Sequence, residues 1–303
     1  MSPDPALASR PRSLASDLLR LARPKDWLKS VFVLMPLPFA LASGASLALG
    51  ALGCGIVAMS LTSSAVYALN DVMDADRDRA NPRKRGRPVA SGRISARLAL
   101  GSALVWLCGG VLLALASGQP RAVVILALYV GQNLVYSLGA KHVPLLDAFL
   151  LSTGFVLRIV LGCFLLGVAP SNWLLLCSST LALLLALGKR RGELGDDLGA
   201  EQRPALAGYN LAFLDQAMGI VGGMAVFGYA LYCMEAPLLV KGREFASLPF
   251  VVFGVLEYLR LAQVLGEDES PVDLMLRSPT LIITGIGWVL ASLWSVGLSR
   301  LGS

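Results

Sequence analysis

The sequence predicts an all-α fold, a polytopic membrane bundle of about nine transmembrane helices with a cytoplasmic N-terminus. Composition, hydropathy and the length of the apolar runs predict it. Hydrophobic residues make up 55% of the 303 positions and charged ones only 15%, where a soluble domain carries roughly 25% charge. The mean hydropathy is +0.67, and the apolar residues fall into runs of about 20, enough to cross a hydrocarbon core as helix. One transmembrane domain is expected over residues 23–303, preceded by a polar segment over 1–22.

Residues 1–26 are polar and basic, with Arg10, Arg12, Arg20, Arg23 and Lys25, and lack the apolar stretch of a cleavable signal peptide. Leucines at helical spacing over 13–22 predict a helix lying on the cytoplasmic interface, ended by Pro24. Spans are expected at about 28–42, 46–70, 96–117, 120–138, 144–167, 172–188, 211–234, 246–263 and 280–299. Gly192 and Gly195 argue against helix beyond the sixth. Lys and Arg gather at the N-terminus, in 77–97, at Lys141, in 189–203, and at Arg260 and Arg277, whereas the opposite connections at 43–46, 117–121 and 168–171 hold only Arg121. By the positive-inside rule the basic loops are cytoplasmic, with Lys241 and Arg243 in 235–245 running against the pattern.

Cys54, Cys108, Cys163, Cys177 and Cys233 stand singly inside apolar spans, which favours packing over disulfides or metal ligation. The pI near 9.2 comes from charges beside spans, where membrane orientation and anionic lipid account for them, and no nucleic-acid module is present. Gly-rich stretches such as 219–223 allow close helix contact within one chain or between copies, so a homo-oligomer stays open.

Chemistry concentrates at Asn70-Asp71-Val72-Met73-Asp74-Ala75-Asp76-Arg77-Asp78, directly after an apolar run. Carboxylates there are costly unless cations offset them. On one helix, Asn70, Asp71, Asp74 and Asp78 fall within an arc of about 100° that also takes in Tyr67, while Asp76 points away. Three carboxylates and an amide on one face suit Mg²⁺, which keeps some water and also binds substrate phosphate. The plain alternative is an acidic helix end solvated at the membrane surface.

Three segments surround that face. Arg23-Pro24-Lys25-Asp26-Trp27-Leu28-Lys29-Ser30 sets cations and an indole where the chain enters the membrane, which as a lone feature reads as an interfacial anchor. The loop 77–92 crowds Arg83, Lys84, Arg85 and Arg87 beside the carboxylates, and Arg forks match phosphate oxygens. Lys189-Arg190-Arg191-Gly192-Glu193-Leu194-Gly195-Asp196-Asp197 mixes both signs on the face expected to be cytoplasmic and runs on to Tyr209. Lys141, His142 and Asp147 form a shorter cluster on that side, and His142 is as readily a loop residue as a base.

NDVMDADRD resembles the NDxxDxxxD signature of the UbiA superfamily of intramembrane prenyltransferases. RPKDWLKS, NPRKRGRPVASG, YSLGAKHVPLLDAFLLSTGFVLRIVLG, KRRGEL and the stretch from Glu257 to Arg277 are similar in order and spacing to the decaprenyl-phosphate phosphoribosyltransferase branch. The resemblance spans most of residues 23–280. It implies transfer of a 5-phosphoribosyl group from phosphoribosyl pyrophosphate to a polyprenyl phosphate, in the bacterial plasma membrane with the site facing the cytoplasm, for cell-envelope arabinan precursors. It places Mg²⁺ and the donor diphosphate on Asn70, Asp71, Asp74 and Asp78. Substrate-binding candidates are Lys29, Tyr67, Arg83, Lys84, Arg85, Arg87, Tyr136, Lys141, Lys189, Arg190, Arg191, Glu193, Asp197 and Tyr209. Of these, the stretches 83–87 and 189–191 would fix the sugar 5-phosphate, and Lys29 and Lys141 the lipid phosphate.

The second polar loop departs from the aromatic prenyltransferases of the superfamily, which carry a second DxxxD where this chain has KRRGELGDD. Lys189, Arg190 and Arg191 suit a donor with a separate 5-phosphate. Glu193 and Asp197, four apart, can imitate the second acidic motif, which keeps open a prenyltransferase that moves a prenyl group from a prenyl diphosphate. A transporter is the third class, because carboxylates inside a bundle also serve as ion sites.

Overall fold

The computed structural model describes residues 13–37, 40, 48–82, 84–195, 204–236, 239–264, 274 and 277–296. In chain order they form α1 (Leu14–Ala22), a 3₁₀ segment (Pro24–Leu34), α2 (Leu49–Met73), α3 (Ala75–Ala80), α4 (Ala96–Ala116), α5 (Pro120–Leu138), a 3₁₀ turn (Ala140–His142), α6 (Leu146–Leu165), α7 (Asn172–Gly195), a second 3₁₀ segment (Pro204–Gly208), α8 (Leu211–Glu235), α9 (Leu248–Gln263) and α10 (Pro279–Val296). No strand occurs among the described residues, and the fold class is all-α as expected.

Helices α2, α4, α5, α6, α7, α8 and α10 are long and apolar enough to cross a membrane. The described helices therefore support seven spans where the sequence suggested about nine. The expected span at 246–263 is α9, only 16 residues long. The one at 28–42 opens as 3₁₀ backbone in a stretch with Pro24, Pro36 and Pro38, each of which lacks the N–H an α-helical ladder needs. Conversely, α7 runs through Gly192 to Gly195. An Arg190–Glu193 pair one turn apart and packing of Leu184, Leu187 and Leu194 in the core outweigh the glycine penalty of about 1 kcal/mol per residue.

The chain forms two compact units, residues 1–30 with 57–113, and residues 31–56 with 114–303. In the first, Ser13 caps α1 by accepting the Ser16 N–H. The apolar side of α1, Leu18 and Leu21, packs on Ala68 and Val72 of α2, on Val89 and Ile94, and on Ala99 and Trp106 of α4. Asp17, buried on α1, accepts from Arg93 Nε at 2.9 Å. Trp27 Nε1 donates to Ser64 Oγ (2.9 Å), which donates to Ala22 O (2.7 Å). The entry segment is thereby tied to α2 rather than only anchored at the interface.

In the second unit, α5 to α10 pack as successive neighbours. Buried Leu184, Leu187, Leu206, Leu214, Met218 and Tyr258 make its core. Gly188 of α7 is required there, since a Cβ would collide with the Tyr258 hydroxyl. Helix α10 leaves Ile283, Ile286 and Leu290 exposed, and α4 does the same with Leu104, Val105 and Leu112. Such faces are what a lipid-contacting helix presents. Inside the second unit lies a cavity of about 540 Å³, almost wholly apolar, whose walls include Met35, Leu181, Tyr229, Tyr258, Gly285 and Trp288.

Candidate active site

Helix α2 ends at Met73 and α3 begins at Ala75, with Asp74 at the junction (φ −96°, ψ 5°). Helical bonds still cross the junction, from Asp74 N–H to Asn70 O (2.9 Å) and from Asp78 N–H to Asp74 O (2.8 Å). Asp71 and Asp78 therefore stay on one side, and both are buried, at 2% and 4% exposure. Asn70, Tyr67 and Asp74 are half-buried and Asp76 is exposed.

Two guanidinium groups meet these carboxylates. Arg87 Nη1 lies 2.7 Å from Asp78 Oδ2 and 3.2 Å from Asp71 Oδ1, so one nitrogen serves both acids. Arg23 Nη2 donates to Asp71 Oδ1 at 2.5 Å, and the Arg23 guanidinium sits 4.9 Å from the centre of the Tyr67 ring. Arg23 is the C-cap of α1 in a left-handed backbone conformation (φ 52°), uncommon for a residue with a Cβ and a sign of local constraint. The sequence singled out the cations on either side of Pro24 but not Arg23 as a site residue. Its signal was its place between the α1 leucines and Pro24, where the chain must turn.

The loop 81–95 is built by its own bonds. Arg79 Nε donates to Ala90 O (3.1 Å), Arg93 Nη2 to Gly86 O (2.7 Å), and Ser91 N–H to Arg87 O (2.9 Å). Lys84 is half-buried and Arg85 exposed; Arg83 lies outside the described residues. Lys29 is half-buried and pairs with Asp26.

Among the described residues no three His, Cys, Asp or Glu converge as a ready metal-ligand set. Mg²⁺ does not need one, being held by one or two carboxylates with water and substrate phosphates. Two carboxylates already drawn to one cationic nitrogen fit that requirement.

The second unit holds a separate buried polar network. Asp147, one residue into α6, and Arg190, near the end of α7, are both 0% exposed. Arg190 Nε and Asp147 Oδ2 are 2.8 Å apart, an ion pair too bent to count as a hydrogen bond. Asp147 Oδ1 accepts from the Tyr209 hydroxyl (2.7 Å) and from Ala148 N–H (2.8 Å), and the Tyr209 oxygen accepts Leu145 N–H at 2.5 Å. Burial, first, and then the Asp147 bond push the Tyr209 phenol well above its ordinary pKa. Arg190 also pairs with half-buried Glu193. Half-buried Tyr136 feels the charges of Arg190, Glu193, Asp147 and Lys141. Lys141 and Lys189 are half-buried, and Asp197 lies outside the described residues.

Arg191 binds Asp215 Oδ1 (2.5 Å) and the carbonyls of Ala262 (2.6 Å) and Gln263 (3.2 Å), fastening α7 to the ends of α8 and α9. The sequence reading passed over Arg158. It is buried within α6, where it donates to Gly154 O (2.7 Å) and the Tyr129 hydroxyl (3.1 Å) and lies 4.8 Å from the centre of that ring. A single Arg inside an apolar span was the available signal.

The family model "UbiA prenyltransferase family" matches residues 30–240. The chain is 28% identical to a decaprenyl-phosphate phosphoribosyltransferase of Corynebacterium glutamicum, over 94% of this chain and 88% of that one. It is 29% identical to one of Mycobacterium tuberculosis, over 92% and 94%. A solved UbiA homologue from Archaeoglobus fulgidus, bound to GPP and Mg²⁺, superimposes with a TM-score of 0.69 at 19% identity, covering 95% of this chain and all of that one. With its membrane-length helices, its acidic helix end and a family match across more than half its length, this integral membrane protein belongs to the UbiA prenyltransferase family.

Proposed function

We propose that the chain transfers a 5-phosphoribosyl group from phosphoribosyl pyrophosphate to a polyprenyl phosphate, releasing pyrophosphate, in a Mg²⁺-dependent reaction at the cytoplasmic face of the membrane. The observation that carries this reading is the pair of buried carboxylates, Asp71 and Asp78, gathered around one cationic nitrogen beside a loop rich in Lys and Arg. Such a place suits a divalent ion together with a polyanion. The names of the relatives that match nearly the whole chain support this donor and acceptor.

Asp71 and Asp78 would hold the metal directly, with Asn70 and Asp74 reaching it through water, and the metal when bound supplies positive charge against the leaving pyrophosphate. Lys84 and Arg85 would pair with the remaining anionic oxygens of the donor, and Lys29 would hold the lipid phosphate. The apolar cavity of the second unit has room for a lipid tail. Arg190, completely buried, positions Glu193 rather than touching substrate. A lipid phosphate is already anionic near neutral pH, so no strong base is needed once it is held in line. Attack opposite the leaving group gives inversion at the anomeric carbon.

The rival is prenyl transfer from a prenyl diphosphate, favoured by the carboxylate of Glu193 in the second polar segment and by the GPP bound to the Archaeoglobus homologue. Purified chain with Mg²⁺, a polyprenyl phosphate and radiolabelled phosphoribosyl pyrophosphate is expected to yield labelled lipid. No labelled lipid from folded protein, with prenyl diphosphate consumed instead, would establish the rival.

A further inference from the structure

Arg23 and Arg87 both pair with the carboxylates that a cation would have to reach. Asp71 is 2% exposed and accepts from both guanidinium groups; Asp78 is nearly as buried and pairs with Arg87. The two acids, sharing one nitrogen of Arg87, would repel each other without it. A divalent ion arriving alone would satisfy the carboxylates but strip two partly buried guanidinium groups of their partners, an exchange with little net gain. Arriving with a diphosphate, it brings oxygens whose geometry the guanidinium forks match. Carboxylate–guanidinium pairs are then traded for carboxylate–metal and phosphate–guanidinium pairs, and every charge stays balanced.

Resting on the metal–diphosphate reading above, we infer that Arg23 and Arg87 are diphosphate-binding residues parked on Asp71 and Asp78, so that the site opens to metal and diphosphate together and not to metal alone. The Tyr67 ring, 4.9 Å from the Arg23 guanidinium, gives that cation a face to rest on as it leaves the carboxylate, since an aromatic face attracts a guanidinium without competing for its N–H groups. Arg23 is 26% and Arg87 29% exposed at the side chain, against 2% and 5% for their acids. The cations are thus the members of each pair with room to move.

The test uses the full chain in detergent and two binding assays. Mn²⁺ alone is titrated by electron paramagnetic resonance, and radiolabelled pyrophosphate is titrated with Mg²⁺ present. Wild type is expected to bind Mn²⁺ alone weakly and to retain pyrophosphate only with Mg²⁺. Arg23→Gln and Arg87→Gln should each tighten Mn²⁺ binding by about tenfold while weakening pyrophosphate retention by a similar factor, the scale of one charge-assisted hydrogen bond. A merely structural role would weaken both. Wild type binding Mn²⁺ alone tightly, or variants that fail to tighten it, would overturn the exchange and leave the metal site standing. If pyrophosphate is never retained with Mg²⁺, or is retained equally by Asp71→Asn, the metal–diphosphate reading itself falls. The wild-type measurements need no variant to fold.

Discussion

Arg190 and Asp147 face each other at 2.8 Å with no exposed surface on either residue. Such a pair cannot be judged from its Coulomb attraction alone, because both charges have been taken out of water. Losing one partner leaves the other uncompensated, whereas neutralising both together costs little. Arg190→Met is therefore expected to destabilise the chain by about 3–5 kcal/mol, and Arg190→Met with Asp147→Asn should recover much of that. Thermal unfolding of the detergent-solubilised variants checks this; a double variant no more stable than the single one would show that the pair is not the source of the loss.

Asp71 and Asp78 are expected to be indispensable and Asp76 dispensable. Asp71→Asn, Asp78→Asn or Asp74→Ala should lower Mg²⁺-dependent transfer by about 10²–10³-fold or more with expression intact, the scale of removing one group that stabilises developing charge. Asp76→Asn, altering a side chain 93% exposed, should be silent. A chelator should abolish turnover and Mg²⁺ restore it. Retained activity in Asp74→Ala would remove that residue from the site.

Tyr209→Phe removes one hydroxyl that donates to Asp147 and accepts the Leu145 N–H. The expected cost is about 1 kcal/mol, since the buried Asp147 carboxylate keeps its Ala148 N–H bond but loses one donor, and the Leu145 N–H loses its acceptor. Because the folded-state pKa is raised above the unfolded value, the phenol's contribution is fully present below the ordinary Tyr pKa of about 10 and is lost as pH rises toward the folded value. The stability gap between wild type and variant should thus be flat from pH 6 to about pH 9, measured by denaturation at several pH values.

Gly285 lines the apolar cavity, and a Cβ there would meet nothing within 4 Å. Gly285→Leu places a side chain at the wall of that cavity, which the proposed reaction would use for the acceptor tail. The KM for a long polyprenyl phosphate should rise by about tenfold, and that for a short-chain analogue should not change. Equal effects on both acceptors would place the tail elsewhere.

The helical class, the spans at α4, α5, α6 and α8, and the acidic face around Asp71 were legible in the chain because each rests on a local periodicity. A run of about 20 apolar residues is helix in a bilayer wherever it occurs, and carboxylates at positions 71, 74 and 78 share a side of any helix that carries them. The 3₁₀ entry at Pro24–Leu34 was not legible, since the apolar residues there read as the start of a span, and α7 overran its glycines because packing in the core decided its length.

Which cation meets which carboxylate lay beyond local reading. Arg23 and Asp71 are 48 positions apart and Arg190 and Asp147 are 43 apart, and only the fold brings each pair within 3 Å. The sequence determined by itself that charge of both signs gathers at the ends of apolar helices, because composition and spacing are properties of the chain. The tertiary structure alone decided that Arg23 and Arg87 occupy the acids while Arg190 is sealed inside, because burial and pairing depend on which distant segments exclude water from one another.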